Sequence, residues 1–490
     1  MVLLGRATLR RLPPAVLTPA YDPAAVSAGV AHIGVGAFHR AHLAVFLDRC
    51  LADADQRTWG VLGINLLPGD EPLAAALRDQ QNLYTVTECA PDGRRSHRVV
   101  GAMVEHAFAP GGAADLVDRL ADPRIRVVSL TITEGGYLLD ESLQLRLDDP
   151  LLRHDLAHPA APRTAFGLIV GALARRRDAG TPPFTVLSCD NLRHNGDQAR
   201  RAVLGFARAR SAALAAWIEH AVSFPNSMVD RITPAMTTER RRALNRDSGV
   251  DDRAPVVCED FIQWVVEDRF VSGRPAFERH GVQMVADVTP YEDAKLRLLN
   301  GAHEMLSFPA YLAGHRRVDE AVRDPLFAAY LQKFLDEDAG AGLVSLPGLD
   351  LARYKTLLLE RFANPAIADR LERLCLDGGS KIPAFLGATL AEALGAGRDA
   401  RRLAFLLACF DRYVRVRRDD AGATFALAEP NAMHLIQPII DSDSAAMLLG
   451  TTALVGAAGQ NVRFARQYHA LVARLAGVGV RRTLAELEAI

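Results

Sequence analysis

The sequence lacks any run of about 18 apolar residues, the length that a membrane-spanning helix needs. It also lacks a basic start followed by a sustained apolar stretch, so no secretory signal is expected. Cysteine is scarce and scattered: Cys50, Cys89, Cys189, Cys258, Cys375 and Cys409 are the six in 490 residues. None stands in a Cys-x-x-Cys pair. This argues against a zinc cluster or a disulfide framework and fits the reducing cytoplasm. No metal site is expected. Neither charge sign dominates, with 57 Lys and Arg against 58 Asp and Glu. A nucleic-acid partner asks for a basic stripe, and none is expected here. The runs Arg175-Arg176-Arg177 and Arg240-Arg241-Arg242 have Asp178 and Glu239 beside them and read as solvated helix faces. There is no internal repeat and no low-complexity tract.

What is present is ordinary globular material. Hydrophobic residues make up 49% and charged residues 23%, so disorder is not expected to dominate. The length asks for more than one domain. Residues 1 to about 28 read as a proline-rich lead-in arm. Val30 to Gly36 then reads as a buried strand entering a glycine turn, followed by helical spacing over 41–51. Further strands are expected at 59–66, 125–132 and 184–188, with helices at 164–177 and 197–220. Strands alternating with helices imply an α/β domain around a doubly wound, mostly parallel sheet. Past about residue 285 the apolar spacing becomes helical, through 292–313, 318–336, 351–377, 383–395 and 400–416. The expected division is 1–285, a dinucleotide-binding domain, and 286–490, a mainly helical domain for substrate and catalysis.

Gly34-x-Gly36 follows a strand and precedes a helix. Glycines there permit a tight turn and close approach of a pyrophosphate to free N–H groups at the helix start. Ala37, Phe38 and His39 continue this turn, with His39 in the place of the usual third glycine. By pattern alone, a plain strand-turn-helix fits as well. Asp70 is the candidate acid at the end of the second strand, where it would bind the ribose hydroxyls of NAD and repel the 2′-phosphate of NADP. It also stands where it would cap the helix starting near Glu71.

The segment Lys295 to His303 carries the candidate chemistry. At about 100° per residue, Asn300 falls about 140° and His303 about 80° from Lys295. The three share one side of a helix with Leu299 and Ala302. Oxidising an alcohol needs a base for the hydroxyl proton and fixed donors for the developing alkoxide. Lysine serves as the base once burial or a cationic neighbour favours its neutral form. Carboxamides supply the donors without adding charge. Glu292, three residues before Lys295, lies on the same face and is placed to relay a proton or to form a simple ion pair. Asn191, at the end of a strand, offers a second amide where doubly wound sheets bind ligands. The same spacing also fits an ordinary, partly exposed helix.

At these residues the sequence resembles the mannitol dehydrogenase family, the polyol-specific long-chain dehydrogenases. The resemblance runs through Gly34–His42, Thr131–Tyr137, Ser188–Leu192, Phe224–Pro234 and Lys295–His303. It implies a zinc-independent, NAD-dependent enzyme that converts a polyol to a ketose, D-mannitol to D-fructose foremost. Sister activities on D-arabinitol or D-sorbitol, or uronate reduction, are the alternatives within the family. A catalytically silent NAD-binding protein is the alternative outside it. The resemblance assigns Lys295 as general base, Asn191 and Asn300 as oxyanion donors, and His303 to the substrate near its reacting hydroxyl. It assigns Asp230, Arg373 and Lys381 to the other hydroxyls, and Glu134 and Glu292 to the proton path. A monomer is expected. Leu43, where many relatives carry Gln, and Leu66-Leu67-Pro68-Gly69 depart from the family pattern near the cofactor.

Overall fold

A computed structural model of the chain describes residues 1–112, 114–140, 142–343 and 350–489. The chain forms two compact units, one of Met1–Ala90 with Arg94–Thr289, the other of Pro290–Ile490 with Pro91–Gly93.

The first unit is built on a five-stranded parallel sheet. In chain order its strands are Ala28–Ile33, Gly60–Asn65, Met103–Phe108, Val127–Leu130 and Thr185–Ser188, and in space they lie third, second, first, fourth, fifth. All six residues of Ala28–Ile33 are buried. A central parallel strand covered on both faces needs such a continuous run, not alternation. The helix Ala165–Asp178 is capped by Thr164, whose side chain accepts from Gly167 N. It packs on one face of the sheet through Phe166, Ile169, Val170 and Leu173.

Several details differ from the sequence reading, beginning with the edge strand Met103–Phe108, which is not among the strands expected. The lead-in arm is stitched into the unit: Val2–Leu3 pairs with Val250–Asp251, and Val16–Leu17 pairs with His97–Arg98. The helix expected over 197–220 is two, Asn195–Arg210 and Ala212–Ala221, because Ser211 is extended and caps the second through Leu214 N. Arg176 is not on a solvated face. It is buried, and its guanidinium donates to the carbonyls of Leu120, Asp122, Ile125 and Pro182. Smaller mixed sheets accompany the parallel one. One contains the antiparallel pair Tyr84–Cys89 and Arg95–Val100, and another the antiparallel pair Ser227–Asp230 and Gln263–Glu267. Polar residues interrupt these strands, so they carry less apolar signal than the central ones.

The second unit is helical. Among the described residues its only β pairings are the isolated bridges Arg317 with Arg370 and Arg418 with Thr424. Helix Gly301–Leu312 is buried almost throughout, and its Phe308 packs against Phe410 and Tyr413 of helix Arg401–Val416 with ring centroids 4.9 Å apart. Among the described residues, no helix is long and apolar enough to cross a membrane.

Candidate functional site

In the first unit the candidate residues gather at the carboxyl edge of the parallel sheet. The chain leaves the central strand toward the second and third strands, then returns to its other side for the fourth and fifth. Ligands of doubly wound sheets bind at this switch point. The glycine turn lies there. Gly34 has φ 97°, and a Cβ on it would come within 2.2 Å of Thr131 O, so only glycine fits. Its N–H donates to Ile64 O, and its carbonyl accepts from Thr131 Oγ1 at 2.8 Å. Gly36 differs: a Cβ there would meet only Gly34 O, at 3.9 Å. The space over Gly36, at the start of helix Ala37–Ala41, is an open cradle of the kind a pyrophosphate fills.

Two histidines brace this turn from below. His32, on the central strand, contacts Ser129 Oγ at 2.8 Å and Thr131 Oγ1 at 2.9 Å. The His39 ring stacks on it, with centroids 3.6 Å apart and planes 8° from parallel. This explains the missing third glycine: the helix approaches the strand through stacked rings. His39 is wholly buried, backbone included, so it supports the turn and does not face a cofactor. Burial pushes the His32 imidazole down to about 3 and His39 well below its ordinary range.

Asp70 closes a short turn, Pro68–Asp70, after the second strand. Its side chain makes no cap to the helix that follows. It accepts instead from Asn65 Nδ2 at 2.9 Å, and the same amide donates to Val35 O at 3.1 Å. Asn65 thus ties the acid to the glycine turn, and Asn65 Oδ1 lies 2.9 Å from His106 Nε2. Sequence reading missed Asn65 and His106, because neither spacing nor composition marks them.

Asp190 is a third residue that sequence reading missed, although it stands beside Asn191. Its carboxylate accepts from Ile132 N at 3.1 Å, Thr133 N at 2.8 Å and Tyr137 OH at 2.9 Å. These bonds hold Thr133 at φ 61°, a strained state for a β-branched residue, and so position Glu134, which is exposed. Asp190 O accepts from Asn195 Nδ2, which also reaches Ser227 O. This links the loop of Asn191 to the strand ending at Asp230, which is buried. The neighbouring Arg231 directs its guanidinium to Glu88 at 2.7 Å and to the carbonyls of Ala41 and Glu259.

In the second unit the segment is helical but not uniformly α. Thr289–Lys295 is α-helix, Leu296–Asn300 is a π-helical turn, and Gly301–Leu312 is α-helix again. The Gly301 N–H reaches back to Leu296 O, which is the wider bonding of a π turn. The 100° reckoning therefore needs correction: across this turn, residues five apart come closer to one face. Lys295 is 7% exposed, Glu292 4% and Asn300 8%, so this is no solvated helix side. The His303 ring stacks on Phe362 at 4.1 Å.

Arg373 pairs with neither Glu372 nor Asp377. Its Nε donates to Asp369 Oδ1 at 2.8 Å, with a second bond from Nη2 to Oδ2. Burial raises the Asp369 carboxyl, but Arg373 and nearby His303 outweigh it and hold it below its ordinary value. Asp369, also missed by sequence reading, links the electrostatics of two candidate residues. Lys381 is half-buried, and its Nζ donates to the carbonyls of Arg373 at 3.1 Å and Leu374 at 3.2 Å.

Known proteins agree along the whole chain. The model of the mannitol dehydrogenase Rossmann domain matches residues 28–279, and that of the mannitol dehydrogenase C-terminal domain matches 287–475. The chain is 45% identical over 416 residues to mannitol 2-dehydrogenase of Cereibacter sphaeroides, covering 85% of this chain and 87% of that one. It is 43% identical over 431 residues to polyol:NADP oxidoreductase of Gluconobacter oxydans, covering 87% and 88%. The structure of Pseudomonas fluorescens mannitol 2-dehydrogenase in ternary complex with NAD and D-mannitol superposes with a TM-score of 0.89 at 42% identity, covering 99% of each chain.

Proposed function

The chain belongs to the mannitol dehydrogenase family, and from that premise we propose that it oxidises a polyol to a ketose with NAD, D-mannitol to D-fructose foremost. The observation that carries the reading is the open cradle over Gly36 at the switch point of the sheet. Gly34, Gly36 and the backbone of Ala37 and Phe38 would hold the pyrophosphate, with His39 bracing the turn through its stack on His32. Asp70, oriented by Asn65, would take the ribose hydroxyls and disfavour a 2′-phosphate. When bound, NAD supplies the acceptor for the hydride of the carbinol carbon.

The remaining steps belong to the chain's own residues. Lys295 takes the hydroxyl proton as general base, and its burial supports a usable neutral amine. Asn300 and Asn191 donate N–H groups to the developing alkoxide. Such donors, fixed in advance, need no rearrangement as charge develops. His303, held flat by Phe362, binds the substrate next to the reacting hydroxyl. Arg373, Lys381 and Asp230 bind the remaining hydroxyls. Glu292 and Glu134 pass the proton toward water. The domain at 1–285 takes the cofactor, and 286–490 the base and most substrate contacts. The reading includes a monomer in the reducing cytoplasm. The burial of all six cysteines as free thiols supports that compartment.

The test is an initial-rate panel. D-Mannitol, D-arabinitol and D-sorbitol are offered with NAD and NADP, and D-fructose and a uronate with the reduced cofactors. The highest kcat/KM is expected for D-mannitol with NAD. No turnover of any polyol would remove the reading, and a uronate preference would redirect it.

A further inference from the structure

Glu304 follows His303 directly, and the reaction as derived gives it no part. It is 2% exposed, and its Oε1 has no hydrogen-bond partner. A buried carboxyl in that state is costly, and it calls for an explanation. Its helix face supplies one. Phe308 lies one turn further along the same face, and a Cβ on Gly378 would come within 2.5 Å of its Cζ. That face therefore packs on the start of helix Gly378–Gly395, whose first turn carries Lys381. Glu304 and Lys381 act on each other electrostatically, and both act on Cys375.

The donor count at Lys381 shows what the carboxyl does. An ammonium has three N–H donors. Two go to Arg373 O and Leu374 O, which leaves the third for a ligand hydroxyl. A neutral amine has only two, and the carbonyls take both. Lys381 can keep both anchors and still donate to a substrate hydroxyl only while it is protonated; the neutral amine could only accept from one. Burial works against that form, and so does the Arg373 guanidinium, while Glu304, Cys375 and Asp377 favour it. Glu429 also faces the cluster, bound to Gly378 N at 2.9 Å and Gly379 N at 3.0 Å. Burial pushes the Glu304 carboxyl up to about 8, against the pull of Lys381. It therefore ionises on the alkaline side of neutrality.

Resting on the assignment of Lys381 to a polyol hydroxyl, we propose that Glu304 is a positioning residue for substrate: its buried carboxyl, on the helix face that packs on the start of Lys381's helix, keeps that side chain an ammonium so that one N–H stays available to the polyol.

The test compares pH profiles of kcat/KM for the polyol at saturating NAD in the full-length enzyme. Wild type is set beside Glu304→Gln, Lys381→Met and the double variant. Glu304→Gln keeps the shape and removes the charge. Its alkaline limb is expected to move about one pH unit lower, a rise in polyol KM of about tenfold above pH 8 with kcat nearly unchanged. In the Lys381→Met background the same change should add nothing. If Lys381→Met leaves polyol KM at the wild-type level, the assignment of Lys381 falls and the proposal falls with it. If Lys381→Met raises KM but Glu304→Gln leaves the limb in place, only the proposal falls. Titration of the Lys381 ζ-nitrogen by NMR in the wild-type enzyme needs no variant at Glu304. A second inflection near pH 8, from Glu304, supports the proposal, and a single unperturbed titration overturns it.

Discussion

A single π-helical turn separates Lys295 from Asn300. Its longer bonding step brings residues five apart toward one face, whereas an ideal α-helix would leave these two about 140° apart. A base and an alkoxide donor on adjoining turns suit a reaction in which one group takes a proton from the oxygen that the other stabilises. Lys295→Ala should lower polyol oxidation by about 10²–10⁴-fold, the usual share of a general base. Asn300→Ala should lower kcat by about 10²–10³-fold, as for one lost oxyanion donor. Both variants should bind NADH normally by fluorescence titration. Near-normal turnover in Lys295→Ala would refute the base assignment.

Asp70 and Asn65 make a second pair whose roles can be separated. Asp70→Ala removes the charge that disfavours a 2′-phosphate, so kcat/KM with NAD should fall about tenfold or more while that with NADP rises. Asn65→Ala leaves the charge but frees its direction, since Asn65 Nδ2 is the donor that ties Asp70 to the turn. It should raise KM for NAD and improve NADP use less than Asp70→Ala does. Unchanged cofactor preference in Asp70→Ala would end its assignment to the ribose.

The buried histidines make the first unit acid-labile. The folded state holds His32 down to about 3 and His106 down to about 4, both mainly through burial. Their contribution to stability is complete above the unfolded histidine value of about 6.5 and is lost as pH falls toward those lower values. By pH 4 the loss from His32 alone is roughly 3 kcal/mol. The raised carboxyls of the second unit, Glu304 at about 8 and Glu429 at about 7, have the opposite sense: their contribution is complete below the unfolded carboxyl value of about 4.3 and is lost as pH rises from there toward 7 to 8. All three tryptophans, Trp59, Trp217 and Trp264, lie in the first unit. Their fluorescence should report acid unfolding of that unit, with a midpoint that moves lower in His32→Gln. An unmoved midpoint would show that His32 does not control the transition.

Much of this architecture was legible because the signals were local. The central strands are short apolar runs covered on both faces, and Gly34 announces a turn that only glycine makes. The order of strands does not follow from those runs, and the edge strand Met103–Phe108, buried only at its first residue, carried too little apolar signal to be read. What stayed hidden was tertiary. Asn65 and Asp190 carry no local mark, since they act on Val35, Ile132 and Thr133, groups that only folding brings near, while Asp369 stands four residues before Arg373, a spacing that was available but unread. Arg176 read as solvent-exposed because a charge run carries no record of the carbonyls that surround its middle member. The π turn escaped because a helical apolar pattern does not distinguish a single i to i+5 step.

Asp369 gives the sharpest test of a residue that sequence reading missed. Its carboxylate fixes Arg373 through two hydrogen bonds and lies close enough to His303 for that imidazole to act on its charge. If Arg373 grips a substrate hydroxyl, the carboxylate sets where the guanidinium points, and it should govern binding more than chemistry. Asp369→Asn keeps the shape and removes the charge that makes the pair strong. Polyol KM should rise about tenfold while kcat changes by less than about threefold, the pattern of lost uniform binding. NAD KM should stay at the wild-type value. A fall in kcat with KM intact would move Asp369 from holding substrate to steering His303 in the reaction itself.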